Sequence, residues 1–459
     1  MTHSPDSYNI IKDWLGNNSV SVVWESASLN YLKAHASISV WESLLDTEFF
    51  HWKDDDDDND GSESDKVYLQ SKKYSLPDGI SKHVDTLFYV CHTPVRLHLR
   101  KNLLKSDTFS SKRRGLTATG DVSVAFLNSL YKINSNLGSP EQNQSVFETG
   151  SEYFSTTDLR SFQQMFGITQ QEAISVGNHA LTNPSMCSTP SAQNSMDCFE
   201  GNLDLQYLMG ISQLTSTIYW YIDSTNPFVD WILAVGNEPN PPLVNSVSWG
   251  TTEQSMPSST MSAFCNEAMS LASRGVTIVV SSGDNGVAGT GSSNACSLYT
   301  CTADSGSNIN SASWSGTSWT GKGYFPSFPA TCPYVTSVGA TMGPESGTAE
   351  IACQSNACYI SGSNSGGVIT SGGGFSTYFA QPSWQTDAVS YYFGNLTSAP
   401  ESGYNRNGRG YPDISLIGVK YQVVVAGALY QLYGTSASAP VFAGMISLIN
   451  SLRAKSNRT

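Results

Sequence analysis

The stretch Gly275-Val-Thr-Ile-Val-Val-Ser-Ser-Gly-Asp284 is the clearest strand in the sequence, and it decides the fold class. Its run of apolar, β-branched residues is typical of a parallel strand that is buried on both faces. Similar runs occur at residues 243–250 and 334–339, and helical stretches alternate with them from about residue 121 onward. We therefore predict an α/β fold in which helices flank a parallel sheet. Asp284 follows its strand directly, and active sites of open α/β sheets lie at that carboxyl edge.

The composition indicates a folded protein and argues against two classes of partner. Hydrophobic residues make up 39% of the 459 residues and charged residues only 14%, so most of the chain should bury a core. The formal net charge of −14 repels phosphate backbones, which argues against binding to nucleic acid. No run of 18 apolar residues occurs, so we predict no membrane-spanning helix.

The first part of the chain is predicted to form a separate, small α/β domain. Residues 6–15 have helical spacing, whereas residues 19–24 and 36–41 are interpreted as strands. Residues 101–120 are polar and basic and contain Arg113-Arg114, a composition that suits an exposed linker that a protease could cut. The predicted domains are 1–112, with a linker to about 120, and 121–459.

The cysteines and glycosylation sequons indicate a secretory route. Two pairs with Cys-x4-Cys spacing could each close a loop as a disulfide, and this spacing does not fit a zinc ribbon or finger. Sequons of the Asn-x-Ser/Thr type predict a glycoprotein. The cysteine pairs are Cys296/Cys301 and Cys353/Cys358, and the sequons are at Asn17, Asn143, Asn395 and Asn457. The N-terminus lacks the basic and apolar regions of a signal peptide, so we expect the true start to precede this chain.

Ser436 is the candidate nucleophile. It lies in Tyr433-Gly-Thr-Ser-Ala-Ser-Ala-Pro440, just before a stretch with apolar residues at helical spacing. A serine at a helix N-terminus has free N–H groups and the helix dipole beside its hydroxyl. The alternative is a plain serine cap of the helix. The predicted buried face of this helix comprises Val441, Met445, Leu448, Ile449 and Leu452.

A serine nucleophile needs a base, and the sequence offers two choices. His179 is the one histidine of the second predicted domain, so an ordinary Ser-His-Asp hydrolase would have to use it. Glu200 and Asp204 are the alternative, because residues four apart share one face of a helix. Two coupled carboxyl groups share protons and can accept the serine proton in acid, where a histidine is already protonated. Glu200 could instead close a capping box with Asp197.

Asp284 is the candidate oxyanion-hole residue. A carboxyl group can stabilise a developing oxyanion when it is protonated and donates a hydrogen bond. The alternative is an Asx-turn after the strand, which Gly283-Asp-Asn-Gly286 readily forms.

Together these residues resemble the sedolisin (serine-carboxyl peptidase) family, and in particular its tripeptidyl peptidase branch. The matching motifs are Glu-x-x-x-Asp at Glu200 and Asp204, Ser282-Gly-Asp284, and Gly434-Thr-Ser-Ala-Ser-Ala-Pro440. Supporting strings occur at residues 328–339, 371–376 and 408–413. The similarity runs through nearly the whole chain in the order of the family.

The resemblance implies a subtilisin-like catalytic domain preceded by a propeptide that inhibits it. It implies a peptidase acting in acid on peptides or proteins, by tripeptide release from N-termini or by internal cleavage, in a lysosomal, vacuolar or secreted setting. The implied catalytic residues are Ser436, Glu200, Asp204 and Asp284, and the implied substrate-binding residues are Ser371, Gly372, Gly373 and Gly374.

The resemblance also implies a calcium site beyond Ser436. The chain ends 23 residues after Ser436 (459 − 436), so we expect the calcium ligands to be missing from it and predict no metal site within it. We likewise expect it to begin inside the propeptide. A catalytically inactive, peptidase-like protein with a binding or structural role is therefore the rival interpretation.

Overall fold

The computed structural model describes residues 5–53, 67–91, 103–104, 120–177, 187, 198–288, 324–354, 369–397 and 403–456. The chain forms two compact units, one comprising Met1–Val95 with Ile232–Pro239 and the other Arg96–Trp231 with Asn240–Thr459. Around the predicted linker, Leu103–Leu104 and Gly120 are described, so the boundary at residues 112–120 stays a prediction. None of the helices in the described ranges is long and apolar enough to cross a membrane.

The first unit contains short helices and two-stranded antiparallel sheets, β1 with β2 and β3 with β4. Its elements are α1 (Pro5–Asn17), β1 (Ser21–Glu25), β2 (Leu32–His35), α2 (Ile38–Leu45), β3 (Phe49–Lys53), β4 (Val67–Ser71) and α3 (Asp78–Ser81). The helix at 6–15 and the strand at 19–24 are confirmed, but the strand predicted at 36–41 is wrong. Alternation of Ile38 and Val40 imitates a strand there, whereas Ser37 takes the N-cap position and the fully buried Leu45 ends a helix.

The second unit contains the large sheet. Its elements are β5 (Leu103–Leu104), α4 (Val124–Tyr131), β6 (Asn143–Glu148), α5 (Thr156–Met165), β7 (Ile174–Gly177), α6 (Phe199–Ile211), β8 (Ser216–Tyr221), the part of α7 (Pro227–Asn237) that precedes Ile232, β9 (Val244–Val247), β10 (Thr251–Thr252), α8 (Ser258–Ser273), β11 (Thr277–Ser281), β12 (Ser327–Phe328), β13 (Thr336–Met342), β14 (Ile351–Ala352), β15 (Gly374–Ala380), α9 (Thr386–Gly394), β16 (Gly408–Tyr411), β17 (Ile414–Ile417), β18 (Tyr421–Val425), β19 (Ala428–Leu432) and α10 (Thr435–Lys455).

The eight-stranded sheet has the order β14-β13-β11-β9-β6-β8-β7, and β17 also pairs with β13. All of its pairings are parallel except that of β14 with β13. The central strand β9 is buried along its whole length, as is β6 after its first residue, as expected of parallel strands covered on both faces. Both strands nevertheless carry buried polar side chains, such as Gln144 on β6 and Asn245 on β9. The prediction of a parallel sheet flanked by helices is confirmed. Neighbouring strands β11, β9 and β6 end at one edge, and the loops after them meet there.

Helices α6 and α10 pack closely together, and the small side chains of α10 allow it. A Cβ atom at Gly444 would lie 2.8 Å from Cβ of Ile211, so only glycine fits at this crossing. The prediction for the buried face of α10 is therefore partly wrong: Val441 and Leu448 are buried, but Ile449 and Leu452 are exposed. Small residues such as Ala443 and Ser447 form the packed face instead.

Candidate active site

Helix α6 carries the predicted acid pair into the interior. Every residue from Phe199 to Ile211 is buried, so the helix has no solvent face on which charged residues could rest. Glu200 lies in the first turn, and Asp204 follows one turn later with no exposed surface. The N-cap is Cys198, whose side chain makes no capping hydrogen bond, and Asp197, the partner of Glu200 in the predicted capping box, lies outside the described residues. A disulfide from Cys198 to Cys187 anchors the start of this helix.

Ser436 is the second residue of α10, at the edge where β9 and β11 end. It is buried, and its Oγ donates a long hydrogen bond of 3.4 Å to the carbonyl oxygen of Ser248. The same hydroxyl interacts with Glu200 and thereby lowers the pKa of that carboxyl group, against the larger opposing effect of burial. The Ser436 hydroxyl thus lies beside Glu200 as well as beside the Ser248 carbonyl oxygen. Such contacts are often long before substrate binds.

Ser248 connects the acid pair to strand β9. Its Oγ donates a 2.7 Å hydrogen bond to Oδ2 of Asp204. Burial raises the pKa of Asp204 well above its ordinary value, while this hydrogen bond lowers it. Oδ1 of Asp204 and Oε1 of Glu200 have no hydrogen-bond partner among the described residues. These orphaned oxygens suit carboxyl groups that hold a shared proton.

Asp284 is held on the other side of Ser436 by Thr435. The backbone N–H and the Oγ1 of Thr435 donate to Oδ1 of Asp284, at 2.8 and 2.9 Å. Burial raises the pKa of Asp284 to about 6, and the two bonds from Thr435 oppose that rise. Gly283, which precedes it, has φ of 100°, a conformation that side chains disfavour, and its N–H donates to Thr435 Oγ1. The Asp284 carboxyl group is therefore fixed through one oxygen, which leaves Oδ2 able to carry a proton and donate.

The predicted substrate strip lies against this motif. Gly372 N–H donates to the carbonyl oxygen of Gly283 at 2.6 Å, and Ser282 Oγ donates to the carbonyl oxygen of Gly372 at 2.8 Å. A Cβ atom at Gly372 would lie 2.0 Å from the carbonyl oxygen of Ser282, so a side chain cannot be placed there. Ser371 donates from Oγ to the carbonyl of Gly372 at 3.5 Å and accepts from the N–H of Ala340. Residues Ser371, Gly372, Gly373 and Gly374 thus run beside the loop that carries Asp284.

Two further carboxyl groups at this edge were missed by the sequence analysis. Glu148 ends β6, has no exposed surface and accepts a 2.9 Å hydrogen bond from Nε1 of Trp249. Glu152 follows in the next loop and is equally buried. A charged residue directly after the apolar pair Val146 and Phe147 was the available signal, but it also fits a strand that simply reaches solvent.

The negative charges of Glu148, Glu152, Glu200 and Asp204 act on one another within the site. Burial, followed by the charges of Asp204, Glu200 and Glu152, raises the pKa of Glu148 well above its ordinary value. Burial raises the pKa of Glu200 well above its ordinary value too, and the charges of Asp204 and Glu152 add to this. Glu148, Glu200 and Asp204 therefore hold their protons to a higher pH than ordinary carboxyl groups do.

Several predicted residues lie outside the described ranges, namely His179, Arg113, Arg114, Cys296, Cys301 and Cys358. Cys353 carries a free thiol, so the predicted pairing of Cys353 with Cys358 is not found; the described disulfides are Cys187–Cys198 and Cys265–Cys332. Within the described part of the chain, no three His, Cys, Asp or Glu side chains are grouped to hold a metal ion. The calcium site implied by the resemblance stays a prediction.

The chain is similar to known peptidases and to a known activation domain. The family model for the subtilase family matches residues 203–458, and the model for the pro-kumamolisin activation domain matches residues 1–89. Probable tripeptidyl-peptidase SED3 of Arthroderma benhamiae is 27% identical over 99% of this chain and 71% of that protein. Tripeptidyl-peptidase 1 of Macaca fascicularis is 29% identical over 99% of this chain and 72% of that protein.

A solved structure shares the fold. Pseudomonas sedolisin, a serine-carboxyl proteinase complexed with pseudo-iodotyrostatin, superposes with a TM-score of 0.50 and 20% identity. The match covers 74% of this chain and 83% of that chain. The prediction of a subtilisin-like fold with a propeptide domain before it is confirmed.

Proposed function

Because the chain belongs to the subtilase family, and resembles its sedolisin branch, we propose that it is a serine peptidase that acts in acid through Ser436, Glu200, Asp204 and Asp284. One observation carries the proposal: a buried serine hydroxyl lies between a coupled acid pair and a third carboxyl group whose pKa is raised by burial to about 6. A structural serine cap has no need of three buried acids.

In the proposed first step, Ser436 Oγ attacks the carbonyl carbon of the peptide bond. Its proton passes to Glu200, and Asp204 stabilises the protonated state of Glu200 by sharing protons with it. Ser248 Oγ keeps Asp204 oriented through the 2.7 Å hydrogen bond. Protonated Asp284 donates from Oδ2 to the oxyanion, a contribution worth about 10²–10³ in rate for one donor.

In the second step, the C–N bond breaks and Glu200 returns the proton to the leaving amine. An acyl-enzyme on Ser436 remains. Water then attacks this ester, giving its proton to Glu200, and the carboxylic acid product leaves as Ser436 regains its proton. The strip Ser371, Gly372, Gly373 and Gly374 would bind the substrate backbone, because its glycines allow close approach of another chain.

The substrate proposal is tripeptide release from free N-termini. The relatives named tripeptidyl-peptidase support it, since they match almost the whole chain. The activation domain at residues 1–89 supports a zymogen inhibited by its own propeptide. Two buried disulfides, Cys187–Cys198 and Cys265–Cys332, support folding in an oxidising compartment on the way to a lysosome, a vacuole or the outside.

The test is a digestion of one long peptide with a free N-terminus at pH 4–5, followed by mass spectrometry of the products. A ladder that shortens by three residues supports tripeptide release, and internal fragments would show an endopeptidase instead. The Ser436→Ala variant is the control and should release nothing. Equal cleavage by this variant would refute the serine mechanism, and no cleavage by the folded, processed protein would favour the inactive, peptidase-like interpretation.

A further inference from the structure

Glu152 is a buried carboxyl group to which the proposed mechanism gives no task. It lies in the loop between β6 and α5 and has no exposed surface. Burying a carboxyl group is costly unless its surroundings compensate.

The position of Glu152 is fixed from two directions. Its Oε2 accepts a hydrogen bond of 3.4 Å from the N–H of Gly201, the residue that follows Glu200. Its backbone carbonyl accepts a 2.9 Å hydrogen bond from the hydroxyl of Tyr219 on β8. The carboxyl group therefore lies at the N-terminal end of α6, where N–H groups lack helical partners and the dipole favours negative charge.

Gly201 makes this approach possible. A Cβ atom there would lie 2.6 Å from the carbonyl oxygen of Tyr153 and 2.8 Å from the hydroxyl of Tyr219. The backbone of the loop at Tyr153 therefore contacts the backbone of α6 at Gly201, the residue after Glu200.

Glu152 also belongs to the charge environment of the acid pair. The groups that act on the pKa of Glu200 are Asp204 on α6, Glu152 on the loop, Ser436 on α10 and Asp284 after β11. The charge of Glu152 also raises the pKa of Asp204 and that of Glu148, in each case after the larger effect of burial. Its charge is not among the causes that act on Asp284.

We propose that Glu152 is a positioning residue for Glu200, because its buried carboxyl group accepts the N–H of Gly201 and thereby fixes the first turn of α6 beside the acid pair. This inference rests on the proposed function, in which Glu200 accepts the serine proton. Two variants separate the hydrogen bond from the charge. Glu152→Gln keeps an oxygen that can accept from Gly201 but removes the charge, whereas Glu152→Asp keeps the charge but shortens the reach.

The first measurement is the pH profile of kcat/KM. With the charge removed, Glu200 ionises at lower pH, so the acid limb of Glu152→Gln should move down by about one pH unit. The alkaline limb should stay in place, because it depends on Asp284. Glu152→Asp should keep the acid limb of the unmodified protein and lose kcat by about tenfold. Glu267→Gln removes another buried carboxyl group outside this cluster and should change neither limb.

The second measurement needs no activity. In a Ser436→Ala background, the pH dependence of thermal unfolding reports the coupling directly. Carboxyl groups whose folded pKa is raised give stability that is full below the unfolded pKa, near 4, and is lost as pH rises through the folded pKa. Removing the charge of Glu152 lowers the raised pKa values of Glu200, Asp204 and Glu148. The Glu152→Gln protein should therefore lose less thermal stability between pH 4 and pH 7 than the protein that keeps Glu152.

The two measurements distinguish a failure of the inference about Glu152 from a failure of the proposed peptidase function. An unshifted acid limb in a Glu152→Gln enzyme that still uses Ser436 would overturn the inference and leave the proposed function intact. A protein without peptidase activity would refute the function, while the unfolding curves would still decide the coupling. Identical pH dependence of unfolding with and without the Glu152 charge would overturn the inference in either case.

Discussion

The loss of activity toward neutral pH should depend on one carboxyl group, Asp284. Burial raises its pKa from 3.8 to about 6, so ionising it inside the fold costs about 3 kcal/mol more than in water. It is almost wholly protonated at pH 4.5, but about one molecule in thirty keeps the proton at pH 7.5. If the oxyanion needs the donated hydrogen bond, kcat/KM should fall about thirtyfold over this range through Asp284 alone.

The assay is kcat/KM on a fluorogenic peptide from pH 3 to pH 8 for three proteins. In Asp284→Asn the amide oxygen can still accept from Thr435, and the amide N–H donates at every pH, so the alkaline limb should disappear. Asp284→Ala removes the donor and should lose about 10²–10³ at the optimum. An Asp284→Asn enzyme that keeps the alkaline limb of the unmodified protein would refute the assignment.

Two further perturbations probe the supports of the site. Ser248→Ala removes the donor to Asp204 Oδ2, so we expect a loss of about 1–3 kcal/mol in the free energy of unfolding and a lower kcat; unchanged values of both would contradict this role. Gly444→Ala forces a Cβ atom to within 2.8 Å of Ile211, so overpacking of about 1–3 kcal/mol should outweigh a helix-propensity gain of about 1 kcal/mol and lower kcat. Gly394→Ala, in a helix with open space, is the control and should lose no activity.

The sheet could be predicted from β11 (Thr277–Ser281), whose run of apolar, β-branched residues is a local property of the sequence. The strand ending before Asp284 and the helix beginning at Ser436 were found in this way. The strand prediction for residues 36–41 was wrong because a short apolar alternation fits a strand and a helix equally well. The predicted buried face of α10 was partly wrong for another reason. Ile449 and Leu452 have helical spacing, but the close approach of α6 requires small residues such as Ala443 and Gly444 on the packed face.

The site could be predicted in part. Glu200 and Asp204 stand four apart, so their common face follows from helix geometry alone. Glu148 at the end of β6 and Glu152 in the following loop lie close to Glu200 and Asp204 in the fold, although they come about 50 positions earlier in the sequence. No sequence spacing predicts this proximity. The role of Thr435 in holding Asp284 was hidden for the same reason, because the two residues come from different elements and meet only in the folded sheet.

The most direct test of the central claim is the rate at which a fluorophosphonate probe modifies Ser436 at pH 4.5, with and without Glu200. The modified residue is identified by mass spectrometry of a digest. The account predicts a label on Ser436 and, in Glu200→Gln, a rate about 10²–10⁴ lower, because no base remains to take the serine proton. Equal rates in the two proteins, or a label that requires His179 instead, would contradict it.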